Sequence, residues 1–193
     1  MKARLWPVLL AGLLLISALS LPASAADVPF SDVADSAWYY ESVERVYEKN
    51  WMNGTGNDRF SPDDSLTRAM LAVILWRIEG SQDASRTVTF TDTSANAWYA
   101  DGLSWCAEKG LFAGYPNGSF GPDDAVTREQ LAIVFFRYAE KTGAVPGGQV
   151  GHTTFKNGCP WAADACDWAN EHGLFTDAIG TLDLCAPASR AEI

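Results

Sequence analysis

Residues 30–70, FSDVADSAWYYESVERVYEKNWMNGTGNDRFSPDDSLTRAM, are repeated 60 positions later as residues 90–130, FTDTSANAWYADGLSWCAEKGLFAGYPNGSFGPDDAVTREQ. Both stretches contain F-x-D, W-Y, F-x-P-D-D and T-R at the same spacing, without a gap. A constant offset of this kind indicates a duplicated structural unit. The fold and the function therefore belong to the repeat.

A third, more divergent repeat begins at Phe155 and includes Ser189-Arg190-Ala191-Glu192 near its end. Ile193 stands where Leu71 and Leu131 begin a long apolar segment in the first two repeats. We therefore expect this repeat to lack that segment and its first helix to lack a packing partner. A helix from another chain, or from a continuation of this one, would then complete it.

The chain divides into a signal peptide at 1–25 and repeats at 26–80, 86–143 and 152–193, called here the first, second and third repeats. Lys2 and Arg4 precede an apolar stretch, and Ala23-Ser24-Ala25 is a small-residue cleavage site. The apolar stretch is interrupted and short for a membrane span, which favours cleavage over anchoring. We expect an exported mature chain without a membrane partner.

The charge balance is strongly acidic. The chain has 14 basic and 24 acidic residues, and cleavage removes Lys2 and Arg4, which leaves a formal net charge of −12. Nucleic acid is excluded as a partner because its affinity depends on neutralising phosphates with Lys and Arg. An anionic ligand remains compatible with this chain wherever the few arginines gather.

Four cysteines occur in this exported chain, at 106, 159, 166 and 185. Cys106 falls on the apolar side of a predicted helix, which indicates a buried thiol that packs as a small apolar group. Cys159, Cys166 and Cys185 cluster in the third repeat. A disulfide there is favoured over a zinc site with His172, because the spacing lacks a short C-x₂₋₄-C pair. The connectivity stays open.

Each repeat predicts two amphipathic helices separated by a turn and a short extended piece. Apolar residues recur at helical spacing around Val43 and Val46, and again from Leu71 onward. The first helix should end at Asn50, Gly110 or Gly173, residue types that adopt a left-handed conformation at low cost. The predicted fold class is mainly α, with tandem helix-turn-helix repeats.

The second helix of each repeat begins with a recognisable capping pattern. Thr67, Thr127 and Ser189 are suitable N-cap residues. Three positions later, Gln130 and Glu192 can complete a capping box in the second and third repeats, whereas the first repeat has a methionine there.

Arginines occupy the first helical position after each cap: Arg68, Arg128 and Arg190. A guanidinium at this position stands beside unpaired backbone N–H groups and the positive end of the helix dipole, so an anion could bind there. Alternatively, an aspartate such as Asp63 or Asp64 neutralises the arginine, which then only fixes the turn. The residues alone leave both interpretations open.

The quoted stretches resemble S-layer homology repeats, and the resemblance covers nearly the whole mature chain. It implies three repeats in a pseudo-trimeric, three-pronged spindle that anchors an exported protein to the bacterial cell surface. The implied ligand is an anionic secondary cell-wall polysaccharide, often with pyruvate ketals on its terminal sugars. No cofactor, metal or enzymatic activity is implied.

The resemblance also implies roles for particular residues. Its T-R-A-E motif maps onto Thr67, Thr127 and the three arginines, whose planar guanidinium groups could hold a ketal carboxylate. Trp38, Trp98 and Trp161 could stack on sugar faces, although their helical spacing favours a core position. The third repeat has Leu184-Cys185-Ala186 in place of P-D-D, so we expect unequal sites with the third weakest.

Two other functions have some support in the sequence. Calcium-dependent self-assembly is suggested by Asp32, Asp63 and Asp64, but the chain has no EF-hand loop. A polysaccharide hydrolase would need two carboxyl groups about 5–9.5 Å apart across its substrate. The adjacent aspartates Asp63-Asp64 and Asp123-Asp124 are better explained as turn residues before a helix.

Overall fold

The computed structural model describes residues 28–86, 89–144, 160–174 and 183–193. They form α1 (Tyr40–Glu48), α2 (Arg68–Ile78), α3 (Ala100–Glu108), α4 (Arg128–Thr142) and α5 (Ala163–Glu171), with 3-10 turns at Pro160–Ala162 and Arg190–Glu192. Within these ranges the extended pieces pair only through isolated bridges. The mainly α prediction is confirmed. The signal segment, Phe155 and Cys159 lie outside the described residues.

The predicted helix ends are confirmed. Asn50, Gly110 and Gly173 follow the first helix of each repeat with φ of 56°, 67° and 69°, the left-handed region expected of these residue types. The left-handed conformation at each residue ends the helix there.

The predicted helix starts are confirmed as well. The Thr127 hydroxyl accepts from the Gln130 N–H at 3.3 Å, and the Gln130 side chain accepts from the Thr127 N–H at 3.2 Å. In the third repeat the Glu192 carboxylate accepts from the Ser189 N–H at 2.6 Å. The first repeat has only the bond from the Met70 N–H to the Thr67 hydroxyl.

Helices pack between repeats rather than within them. α2 of the first repeat packs against α3 of the second, and α4 of the second packs against α5 of the third. Cys106 lies in the first of these contacts, with its Sγ 3.4 Å from the Ala72 carbonyl oxygen, and is fully buried. Burial raises the pKa of its thiol, and the predicted role as a small buried group is confirmed.

The expectation that the first helix of the third repeat lacks a partner is wrong. Cys166, Trp168 and Ala169 of α5 are buried in a cluster that includes Ala132 and Ala139 of α4. The physical reason is the connectivity: a first helix takes its partner from the preceding repeat and not from its own.

The segments just before the second helices meet at one point. The Leu66 N–H donates to the Ala188 carbonyl, the Ala188 N–H to the Val126 carbonyl, and the Val126 N–H to the Leu66 carbonyl, each at 2.8 Å. All three side chains are fully buried. This closed ring supports a three-fold arrangement of the repeats, and the three-pronged outline stays a prediction.

Candidate functional site

The aspartate of each F-x-D motif organises the loop that precedes the second helix. Asp92 accepts hydrogen bonds from the Phe120 and Gly121 N–H groups, both at 2.7 Å, and Asp32 accepts from Phe60 and Ser61, both at 2.8 Å. The motif therefore has a structural role that sequence reasoning did not assign.

The same hydrogen bonds shift the acidity of these aspartates. The bond from the Phe120 N–H lowers the pKa of Asp92. Burial raises the pKa of Asp32, but the bonds from Phe60 and Ser61 outweigh it, so this pKa also lies below its ordinary value. The folded loop therefore favours the charged form of both carboxylates.

Arg68 crosses from the first repeat into the second and is only 6% exposed. Its Nε donates to the Phe120 carbonyl at 2.8 Å, and its Nη2 donates to the Ala113 carbonyl at 2.8 Å. The guanidinium lies over the rings of Phe112, Tyr115 and Phe120, with centroid distances of 4.6–5.1 Å. Burial lowers its pKa from the ordinary value, and an arginine keeps its charge under that shift.

Arg190 makes the equivalent contact from the third repeat to the first. It is 5% exposed, and its Nε and Nη2 donate to the Phe60 and Asn53 carbonyls at 2.8 and 2.9 Å. Its guanidinium lies 4.7 Å from the centre of the Phe60 ring. Arg68 and Arg190 therefore join neighbouring repeats through backbone carbonyl acceptors.

Arg128, which reaches from the second repeat to the third, has a different environment. Its Nη2 and Nε donate to Glu192 Oε1 at 2.7 and 2.9 Å, and its Nη1 donates to the Asp183 carbonyl at 3.2 Å. Its side chain is 19% exposed. Of the three motif arginines, Arg128 alone uses a side-chain carboxylate as its acceptor among the described residues.

Neither sequence interpretation of the arginines describes these contacts. The first-turn N–H groups are occupied by loop carbonyls of the neighbouring repeat: those of Arg68 and Ala69 donate to Asp124 and Pro122, both at 3.0 Å. The expectation of free N–H groups is therefore wrong. Within the described ranges, no ion pair joins Asp63 or Asp64 to a motif arginine, because backbone carbonyls already take the donors of Arg190.

The tryptophan of each W-Y motif lies on the surface. Trp38, Trp98 and Trp161 are 71%, 64% and 61% exposed, so the core position favoured by helical spacing is wrong for all three. The reason is that each indole precedes its helix, in the turn before α1 or α3 or in the 3-10 turn before α5. Helical spacing does not apply there.

Tyr115 is a surface residue that the sequence reasoning did not single out as a ligand. It is 37% exposed, its ring lies 4.8 Å from the Arg68 guanidinium, and its hydroxyl donates to Asp124 Oδ2 at 2.8 Å. Thr55 is its counterpart in the first repeat. The residue that follows the motif glycine differs between the two repeats, and this difference in the sequence could have drawn attention to Tyr115.

The structure also bears on metal and disulfide chemistry. In the described ranges, no three His, Cys, Asp or Glu side chains come together as a possible metal site. No disulfide joins Cys106, Cys166 and Cys185 to one another, and the predicted bridges to Cys159 fall outside the described residues. Among the helices described, none is long and apolar enough for a membrane span.

Residues 29–70 and 89–132 each match the family model described as S-layer homology domain, so these two repeats belong to that family. An endoglucanase of Bacillus sp. (strain KSM-635) is 32% identical over 162 residues, which cover 78% of this chain and 17% of the endoglucanase. A cellulosome-anchoring protein of Acetivibrio thermocellus is 32% identical over 111 residues, which are 55% of this chain and 25% of that protein.

A surface-layer 125 kDa protein of Lysinibacillus sphaericus is 27% identical over 184 residues, which are 93% of this chain and 15% of that protein. The chain spans a quarter or less of the length of these relatives. The family, the cellulosome-anchoring protein and the surface-layer protein together support cell-surface anchoring as the class of function.

Proposed function

We propose that this chain anchors an exported protein to the bacterial cell wall by binding an anionic, pyruvylated wall polysaccharide without a covalent bond. The observation that carries the proposal is the exposure of one indole at the same position in every repeat. An exposed indole stabilises the fold little, and its flat apolar face suits the apolar face of a sugar ring.

Neighbouring tyrosines support the exposed indoles of the first and second repeats. The rings of Trp38 and Tyr39 meet edge to face at 5.3 Å, and those of Trp98 and Tyr99 at 5.4 Å. Tyr39 and Tyr99 are half-buried, so they connect the indoles to the folded core. An indole that is already restrained by a neighbouring ring loses less conformational freedom on binding than an unrestrained one.

The arginines divide between two roles in this proposal. Arg128 binds the ketal carboxylate, which replaces Glu192 as the acceptor of its paired donors. Arg68 and Arg190 hold the loops of the neighbouring repeats, and Thr67 and Thr127 cap α2 and α4. These four residues act on the ligand by positioning the surface around it.

The repeats contribute unequal sites. Arg68 lies over the partly exposed aromatic ring of Tyr115. In the equivalent contact of Arg190 with the first repeat, the position of Tyr115 is occupied by Thr55. We therefore expect the interface between the first and second repeats to bind sugar more strongly than the interface between the third and first.

The test is binding to wall preparations with and without the ketal, measured by pull-down and by calorimetry with a pyruvylated oligosaccharide. Trp98→Ala should weaken binding about fivefold, since an aromatic contact contributes roughly 0.5–1.5 kcal/mol. Trp98→Phe, the matched control, should retain most of the affinity. Arg128→Ala should weaken binding more than Arg190→Ala, and only on walls that carry the ketal.

Two results would contradict the proposal. Binding that is unchanged by ketal removal would exclude carboxylate recognition, and wild-type affinity in Trp98→Ala would exclude indole stacking. Circular dichroism of each variant must match the wild type before its affinity is compared.

A further inference from the structure

In two of the three repeats, the residue three positions after the N-cap contacts a motif arginine of another repeat. Glu192 accepts hydrogen bonds from Arg128, and the Met70 Sδ lies 3.6 Å from Arg190 Nη1. The two contacts differ in charge, because a carboxylate faces Arg128 and a neutral thioether faces Arg190. The residue at this position therefore distinguishes one motif arginine from another.

The pairing of Arg128 with Glu192 uses only one oxygen of the carboxylate. Nε and Nη2 of Arg128 both donate to Oε1, at 2.9 and 2.7 Å. The other oxygen, Oε2, accepts from the Ser189 N–H at 2.6 Å. Glu192 therefore does not give one oxygen to each of the two donors, which is the arrangement in which an arginine holds a carboxylate most strongly. A carboxylate from outside the chain is not tied to Ser189 and can present both oxygens.

The ion pair is also within reach of a ligand. The side chains of Arg128 and Glu192 are 19% and 26% exposed, whereas Arg68 and Arg190 are buried. A partly exposed ion pair contributes little to stability, so the fold loses little when another acceptor replaces Glu192. Glu192 nevertheless opposes that replacement, because it occupies the same donors and repels a second negative charge.

We propose that Glu192 is an internal competitor for the Arg128 guanidinium, and that it sets the affinity of this site for the ligand carboxylate. The inference rests on the proposed function, in which Arg128 binds the ketal. In the absence of ligand, Glu192 occupies the donors of Arg128. A ligand carboxylate gains a contact through two oxygens and must displace a contact through one. The affinity of the site is the difference between these two contacts.

Glu192→Gln is the informative variant because the chain already uses glutamine at the equivalent position. The Gln130 side chain accepts from the Thr127 N–H at 3.2 Å and completes the capping box of α4. The amide oxygen of the variant side chain can keep the corresponding bond from the Ser189 N–H. Its NH₂ group is a donor and cannot accept from Arg128. The substitution therefore removes the competitor and retains the cap.

The test is calorimetry with a pyruvylated oligosaccharide. Glu192→Gln should bind it about fivefold more tightly than the wild type, which is the gain expected when a partly exposed ion pair no longer competes. Glu140→Gln is the matched control: it removes the same charge at an exposed position of α4, about 18 Å along the helix from Arg128. This control should leave the affinity unchanged.

A second pair of variants separates competition from a purely structural role. In an Arg128→Ala background, Glu192→Gln should give no gain in affinity, because the donors for which Glu192 competes are absent. A structural effect of the substitution would alter the affinity equally in both backgrounds. Removal of the ketal from the oligosaccharide should likewise abolish the gain. Circular dichroism must show the same helical content in every variant.

The outcomes distinguish this inference from the proposed function. If Glu192→Gln binds no more tightly than a wild type that still prefers the ketal-bearing ligand, the inference fails and the proposed function stands. If the wild type binds the ketal-bearing and ketal-free ligands equally, both fail. An equal gain in Glu140→Gln would assign the effect to net charge and overturn the role of Glu192.

Discussion

At the scale of single residues, one motif produces two kinds of arginine. Arg68 is buried and satisfies two backbone carbonyls of the next repeat, whereas Arg128 is partly exposed and paired with Glu192. Substitution of Arg128 should therefore leave folding nearly intact, whereas substitution of Arg68 should not. A buried acceptor that loses its donor costs about 1–3 kcal/mol.

We predict that Arg68→Ala lowers the free energy of unfolding by about 2–4 kcal/mol, since two carbonyls lose their partner. Arg128→Ala should lower it by about 1 kcal/mol or less, as expected of a partly exposed ion pair. Urea denaturation followed by circular dichroism measures both. Arg68→Lys should not rescue stability because an ammonium lacks the planar fork. Equal losses at the two positions would contradict the assignment.

A second residue-scale prediction concerns acid. The hydrogen bonds to Asp92 hold its folded pKa below its ordinary value, so they stabilise the fold above the unfolded pKa of about 3.9. That stability is lost as the pH falls through the folded pKa. Asp92→Asn should lower Tm by roughly 3–6 °C at pH 7, and the difference from wild type should shrink below about pH 3.

Thermal melts across this pH range provide the measurement. Asn96→Ala, in the same exposed loop four residues on, serves as a control and should follow the wild type at every pH. Curves for Asp92→Asn that run parallel to the wild type down to the lowest pH would refute the role of the charged carboxylate.

At the scale of helices, close packing between repeats outweighs intrinsic propensity. Gly102 lies in the first turn of α3, and alanine is ordinarily a better helix former than glycine by up to about 1 kcal/mol. Its absent side chain is what allows α2 to approach, since a Cβ there would meet backbone atoms. Backbone atoms cannot move aside as the end of a flexible side chain can.

We predict that Gly102→Ala destabilises the protein by about 1–3 kcal/mol despite the better helix former. Ser42→Ala, at the equivalent exposed position of α1, should be neutral or slightly stabilising. Chemical denaturation of both variants measures the change in the free energy of unfolding and so tests this prediction. A stabilising Gly102→Ala would show that α2 and α3 have room between them.

At the scale of the whole molecule, the repeats depend on one another. The ring of hydrogen bonds through Leu66, Val126 and Ala188 contains one segment from each repeat, and α2 buries its apolar face on α3. A repeat that is cut from its neighbours therefore exposes its apolar face and loses three kinds of contact: the ring, the arginine bonds and the helix pair.

We accordingly predict that a fragment of residues 26–86 does not fold. It retains α1 and α2 but lacks α3, so Leu71 and Leu75, both fully buried in the whole chain, lose cover. Exposing a large apolar side chain costs roughly 1.5–3 kcal/mol, and a small domain has only about 5–15 kcal/mol in total. Thermal circular dichroism of the fragment should show no cooperative transition, whereas residues 26–193 should melt cooperatively. A cooperative melt of the fragment would contradict this interdependence.

The sequence by itself determined everything that depends on neighbours along the chain. The 60-residue offset, the caps at Thr127 and Ser189, the left-handed ends at Asn50 and Gly110, and the mainly α class all follow from local patterns. They could be predicted because capping and helical periodicity involve residues three or four positions apart.

Only the tertiary structure decided which repeats touch. Arg68 and its acceptor Phe120 are 52 positions apart, and Arg190 lies 130 positions from Phe60. The exposure of Trp98 likewise depends on the turn that precedes α3, not on periodicity. The pairing of second helices with the following repeat arises from the burial of apolar faces in three dimensions. No short-range pattern in the sequence specifies which helices pack together, because this burial joins residues that are far apart along the chain.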